Sequence, residues 1–159
     1  MAKGNEKMDP PNDAIEMLTA DHQRVKELFD RFEAANGRSS KARQKIVEEV
    51  FMELEIHTRL EEEIFYPAVD ATADEEGEKL VAESVEEHHV VKILIEEMRA
   101  IGPADERYEA KFTVLMENVK HHIEEEEGTM FPMVRKKIQY NLKDLRDDME
   151  DLKEEMMAS

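Results

Sequence analysis

Apolar side chains recur along this chain in steps of three and four, and they sort into four stretches. The first reads Ile15, Leu18, His22, Val25, Phe29, Phe32; the second reads Ile46, Val50, Leu54, His57, Glu61, Ile64, Ala68. The third reads Val81, Val85, His88, Val91, Ile95, Met98; the fourth reads Phe112, Leu115, Val119, His122, Glu126, Met130, Met133. Such spacing keeps each set on one face of an α-helix. Start and stop signals bound the helices. The first is expected from Asp13, after Pro10-Pro11-Asn12, to Ala35, before Asn36-Gly37. A second should run from Ser39-Ser40 to Pro67 or Asp70, and a third from Glu76 to Ile101, before Gly102-Pro103. The fourth should run from Ala104 to Phe131-Pro132. Short connections make successive helices antiparallel neighbours, which predicts an all-α, up-down-up-down four-helix bundle. Residues 1–12 are expected to be a flexible N-terminal segment, 13–136 the bundle domain and 137–159 an additional amphipathic C-terminal helix.

Six polar residues interrupt these apolar faces: His22, His57, Glu61, His88, His122 and Glu126. They form a repeat. His22, His57 and Glu61 recur as His88, His122 and Glu126 at offsets of 66, 65 and 65 residues. Each half also closes alike, on Tyr66-Pro67 and on Phe131-Pro132. His57 and His122 each stand ten residues before their proline, about 15 Å along a helix, and antiparallel packing brings all four histidines into one layer. Spacing of i, i+4 stacks Glu61 beside His57 and Glu126 beside His122. Buried polar groups are costly unless paired or ligated, so six at matching positions call for a shared partner. Imidazole and carboxylate without thiolate suit iron, manganese or zinc. Two carboxylates can bridge two ions while the histidines supply two nitrogens to each. Coordination positions then stay open for water, hydroxide, O2 or peroxide.

This H…HxxxE…H…HxxxE pattern resembles the hemerythrin-like HHE cation-binding domains, over about residues 13 to 135. The resemblance implies a four-helix bundle around a non-haem di-iron centre, oxo- or hydroxo-bridged, with zinc or manganese as less favoured occupants. Its ligands would be His22, His57, Glu61, His88, His122 and Glu126. Oxygen-carrying members have a further histidine one turn after the third-helix ligand, where this chain has Lys92, and an Asp where it has Glu126. Those departures disfavour simple O2 carriage. They favour a centre that acts on or senses O2, peroxide or iron. Two alternatives stay open: a peroxide-decomposing or ferroxidase enzyme, and a helical interaction module with a structural zinc site.

Charge narrows the partners. With 40 acids against 22 bases the formal charge is −18, which disfavours nucleic acid and anionic membrane surfaces. The chain has no cysteine and no stretch of the roughly 18 apolar residues that spans a bilayer, so a cytoplasmic, reducing location is expected. Near the C-terminus Ile138, Leu142, Leu145, Met149, Leu152 and Met156 form a heptad seam. It either pairs two chains as a homodimer, with Asp148 opposite Lys153, or docks on its own bundle. His89 and His121 lie off the apolar faces and read as surface groups. Glu62, Glu124, Glu125 and Glu127 read as solvated; Arg59 and Lys92 read as snorkelling ahead of tuning the site electrostatically, and Tyr66 as packing near a helix end ahead of approaching the metal layer as a redox-active group.

Overall fold

The computed structural model describes residues 10–36, 40–137 and 141–159. Four long rods form the bundle. Helix α1 spans Ala14–Ala34. The second rod is α2, Ser40–Leu60, continued by a π-helical turn at Glu61–Phe65 and by α3, Tyr66–Asp70. The third is α4, Glu75–Ile101. The fourth is α5, Arg107–Glu125, a second π turn at Glu126–Met130, and α6, Phe131–Lys137. A final helix, α7, covers Leu142–Ala158. All described elements are helical, as the apolar spacing predicts, and none is long and apolar enough to cross a membrane.

Local chemistry sets the ends. The Asp13 carboxylate accepts from the Glu16 N–H at 2.8 Å, and Asp74 accepts from the Gly77 N–H at 3.0 Å; each satisfies a donor that the first helical turn leaves free. Gly102 closes α4 at φ 78°, a left-handed conformation that glycine adopts without Cβ strain. Helix α5 starts at Arg107, later than the expected Ala104, because the Asp105 side chain accepts from the Arg107 N–H at 2.8 Å. The expected stop at Gly37 and start at Ser39 lie outside the described residues, as do Ile138 of the heptad seam and residues 1–9 of the N-terminal segment.

The fourth rod does not end at Phe131-Pro132, and the reason bears on the site. Proline lacks an N–H, and its ring crowds the carbonyl four residues back. Both prolines come directly after a wide turn, in which the Tyr66 N–H bonds to Glu61 O and the Phe131 N–H to Glu126 O. Widening to i→i+5 opens room for the ring, so the rods run on to Asp70 and Lys137. The extra residue also rotates the remainder of each rod. Phe65, Tyr66 and Val69 are buried where Ile64 and Ala68 were expected; Phe131 and Val134 are buried where Met133 was expected.

Two apolar clusters fill the interior. One includes Val25, Phe29, Val50, Phe51, Leu54, Val91, Phe112, Leu115 and Val119. The other includes Leu18, Leu60, Phe65, Tyr66, Val81, Met130, Phe131, Leu142 and Met149. The six polar residues of the repeat lie between them. Helix α7 lies along α1 and α2. Leu142 and Met149 are buried there, with Leu145, Leu152 and Met156 packed against the second cluster. The seam available for pairing two chains is therefore occupied by the bundle of its own chain.

Candidate metal centre

His22 comes from the middle of α1 and His88 from α4, while His57 and His122 come from the last turns of α2 and α5. Glu61 and Glu126 open the two π turns. All six are buried, none more than 7% exposed. Glu61 Oε1 stands 2.7 Å from His57 Nε2, 3.3 Å from His88 Nε2 and 3.9 Å from His122 Nε2. Glu126 reaches 3.2 Å from His22 Nε2 through Oε1 and 2.9 Å from His122 Nε2 through Oε2. Donor atoms therefore gather into two quartets, each within 4.8 Å: His22, His57, Glu61, Glu126 and Glu61, His88, His122, Glu126. Both glutamates belong to both quartets.

The residues fit a cation better than they fit one another. Among the described residues, His22 Nε2, His57 Nε2, both Glu61 oxygens and Glu126 Oε1 are buried without a hydrogen-bond partner. Desolvated polar atoms of this kind destabilise a fold unless a partner offsets them. A metal ion satisfies several at once, and a nitrogen–oxygen donor set suits borderline and harder ions.

Without a cation, protons do part of that work. Burial alone would lower His57, yet the Glu61 carboxylate and the Asp21 bond outweigh it and hold the imidazole at about 10. Burial likewise opposes protonation of His122, but the neighbouring carboxylates of Glu126, Glu61 and Glu87 push it up to about 12. Glu61 is held well below the ordinary carboxylate range, because His57, His122 and His88 override its desolvation. Metal must displace those imidazole protons, so uptake should strengthen as pH rises. Stability of the metal-free protein should move the other way. His57 titrates near 6.5 when unfolded and about 10 when folded, so its contribution is complete below pH 6.5 and disappears as pH rises through about 10. Denaturant unfolding of chelator-treated protein across that window is expected to show the decline.

Around the donors lies a second set of carboxylates, one facing the outer nitrogen of each imidazole. Asp21 Oδ2 is 3.0 Å from His57 Nδ1. Glu87 approaches His122 Nδ1 to 3.5 Å, Glu127 approaches His22 Nδ1 to 3.4 Å, and Glu62 approaches His88 Nδ1 to 3.4 Å. Placing an anion at Nδ1 turns Nε2 toward the centre and raises its basicity as a ligand. The repeat governs this set too. The acid before His22 or His88 serves the later histidine of its own half, and the acid after Glu61 or Glu126 serves the opposite half. Lysines brace the outermost pair: Lys92 Nζ lies 2.6 Å from Glu62, and Lys26 Nζ lies 3.9 Å from Glu127. Asp21 is 2% exposed and bonds Arg24, with Lys153 of α7 3.9 Å away.

Several expectations change here. Glu62 and Glu127 are half-buried beside imidazoles rather than solvated, and Lys92 turns onto Glu62. Asp21 and Glu87 were missed, although their matching place before His22 and His88 was readable in the repeat. His89 and His121 are exposed, Glu124 is exposed, and Arg59 pairs with Glu63 at the surface, all as expected.

Tyr66 takes the less favoured of its two expected places, beside the histidine layer. It does not pack passively at a helix end: its hydroxyl donates to Glu126 Oε2 at 2.6 Å and stands 3.4 Å from both His88 Nε2 and His122 Nε2. Its ring stacks on His88 at 5.5 Å, while its counterpart Phe131 stacks on His22 at 5.8 Å. On the opposite side of the histidine layer lies a cavity of about 20 Å³, walled by the four imidazoles and by Val25, Leu54, Thr58, Val91, Val119 and Ile123. That is room for one water or a diatomic molecule.

Known proteins agree with this architecture. The chain is similar to a DNA nickase of Nostoc sp., 28% identical over 85% of this chain and 36% of that protein. It is also similar to an uncharacterised hemerythrin-like protein of Schizosaccharomyces pombe, 26% identical over 82% of this chain and 62% of that one. The chain thus spans only part of both relatives. A crystal structure of a hemerythrin HHE cation-binding domain-containing protein from Mycobacterium kansasii superposes with a TM-score of 0.75 at 26% identity, covering 90% of this chain and 86% of that one. The family model for the hemerythrin HHE cation-binding domain matches residues 13–134. With that match over most of its length and a buried histidine–glutamate cluster able to hold metal, the chain belongs to the hemerythrin HHE cation-binding domain family.

Proposed function

We propose that this protein holds two iron ions and uses them to act on, or to sense, O2 or peroxide. The observation that carries this reading is the pair of quartets sharing Glu61 and Glu126. One carboxylate reaching two sets of imidazoles is the arrangement that bridges two ions. His22 and His57 would hold one ion, and His88 and His122 the other. Bound iron supplies redox chemistry and open positions for a small oxygen ligand. The protein's own part is to orient the imidazoles through Asp21, Glu87, Glu127 and Glu62, and to present an apolar cavity of about 20 Å³ that admits a diatomic molecule and little else. A charge of −18 supports small-molecule rather than nucleic-acid partners, and DNA nicking stays a property of the relative that carries that name. Absence of cysteine fits a reducing, cytoplasmic setting.

Metal analysis of purified protein, with optical spectra before and after O2 or peroxide, tests the reading. Iron near two per chain, with a spectrum that responds to peroxide, is the expected result. Stoichiometric zinc without iron would sink it in favour of a structural role. Sustained peroxide consumption or iron oxidation would place the protein among enzymes rather than sensors.

A further inference from the structure

We propose that Glu87, His121 and Glu125 form a second, outer site for a divalent cation, and that this site passes ferrous ion inward to the buried centre. The outer site stands on its own residues; the passage inward rests on the dinuclear reading. Glu87 comes from α4, while His121 and Glu125 lie one turn apart on α5. Their donor atoms fall within 4.8 Å of one another. His121 Nε2 and Glu125 Oε2 are 3.6 Å apart, too long for a hydrogen bond. Among the described residues no lysine or arginine pairs with Glu87 or Glu125, so two carboxylates converge with no fixed cation to hold them together. A second observation lies beneath them. His122 Nδ1 is buried without a hydrogen-bond partner and faces Glu87 Oε2 at 3.5 Å. Glu87 also lines the cavity that the four imidazoles wall. It thus meets the outer cluster on one side and the buried centre on the other.

Exposure sets the direction of travel. The side chains are 68% exposed at His121, 44% at Glu125 and 27% at Glu87, ahead of buried His122. Imidazole and carboxylate suit ferrous, manganous or zinc ions. Three donors at a wet surface leave such an ion much of its water, whereas each buried quartet offers four donors. The ion therefore binds weakly outside and tightly inside. No electron moves in this step: the ion exchanges water and surface ligands for buried ones, and the inner imidazoles release protons as it arrives. The other half gives an internal control. At the repeat offset of 65, His121 and Glu125 correspond to Ile56 and Leu60, which offer no donor. Asp21, the counterpart of Glu87, bonds Arg24 and has Lys153 at 3.9 Å, and α7 lies along that side. Entry is thus confined to the α4–α5 face, beside the position held by His88 and His122.

Two measurements on the full chain test this without any activity assay. The first counts Mn2+ bound by zinc-loaded, desalted protein, from the EPR signal of the free ion. The wild type and His89→Ala should each bind one weakly held Mn2+ that His121→Ala and Glu125→Gln both lose. The second mixes metal-free protein with Fe2+ under anaerobic conditions and traps unbound iron with a chromophoric chelator at set times. His121→Ala/Glu125→Gln should load about tenfold more slowly, having lost the local attraction that concentrates the ion, yet reach the wild-type iron content. Both side chains are at the surface, so circular dichroism should not change. No weak Mn2+ site in the wild type, or one that survives in His121→Ala, overturns the outer site. Loading of the double variant at the wild-type rate overturns the passage inward. Failure of the wild type to take up iron at all sinks the dinuclear reading and that passage, while the Mn2+ count still decides the outer site.

Discussion

Replacing Glu61 by alanine is expected to empty both metal positions together, a loss larger than any single histidine substitution produces. The reason is topological. Each histidine belongs to one quartet, whereas Glu61 belongs to both and lies 2.7 Å and 3.3 Å from histidines of opposite halves. His22→Ala should therefore reduce the iron content while leaving the His88–His122 position competent. Glu61→Ala should leave neither. The same variant removes the main carboxylate that keeps His57 protonated in the metal-free protein, so the imidazole titrates at lower pH. Metal content by elemental analysis and histidine titration by NMR supply the two readouts. Iron retained at the wild-type level in Glu61→Ala would show that the glutamate bridges nothing. Metal should also raise the unfolding temperature of the wild type and not of this variant, because only the wild type binds it in the folded state.

The second large effect belongs to a residue that would touch no metal. Asp21→Ala should weaken metal affinity about 10- to 100-fold, the usual cost of losing the partner that orients a ligating histidine. Asp21 is 2% exposed and holds His57 Nδ1 at 3.0 Å, the only one of the four outer carboxylates that makes a full hydrogen bond to its ring. Asp21→Asn should fall between the two, since the amide oxygen still accepts the Nδ1 proton. Competition with a chelator measures the affinity, and circular dichroism separates it from loss of fold. Equal affinity in Asp21→Ala and wild type would remove Asp21 from the working parts of the centre.

The bundle and its six inward polar residues were legible because both depend on periodicity, and the near-constant offset of 65 or 66 residues doubled every observation. The features that escaped were tertiary or local-backbone in origin. Tyr66 lies nine residues after His57, and at 100° per residue that is half a turn away from the centre. Only the wide turn at Glu61–Phe65 swings it inward, and no hydrophobic pattern encodes such a turn, though a proline just after each one hints at it. Glu62 and Glu127 read as solvated because their partners, His88 and His22, are supplied by other helices. The heptad seam of α7 is equally compatible with a second chain or with its own bundle, since both would bury the same methionines and leucines. The packing of Met149 at 0% exposure shows the intramolecular contact that this structure adopts.

The belt of imidazoles and carboxylates across the middle of the rods has a mechanical consequence. It parts the greasy interior into an upper and a lower store, each too small to be a domain by itself. Bound cations would rivet the two together through residues that otherwise hold one another by histidine–carboxylate pairs. Loading would then also stiffen the molecule, and an unloaded chain would be weakest at the height of that belt.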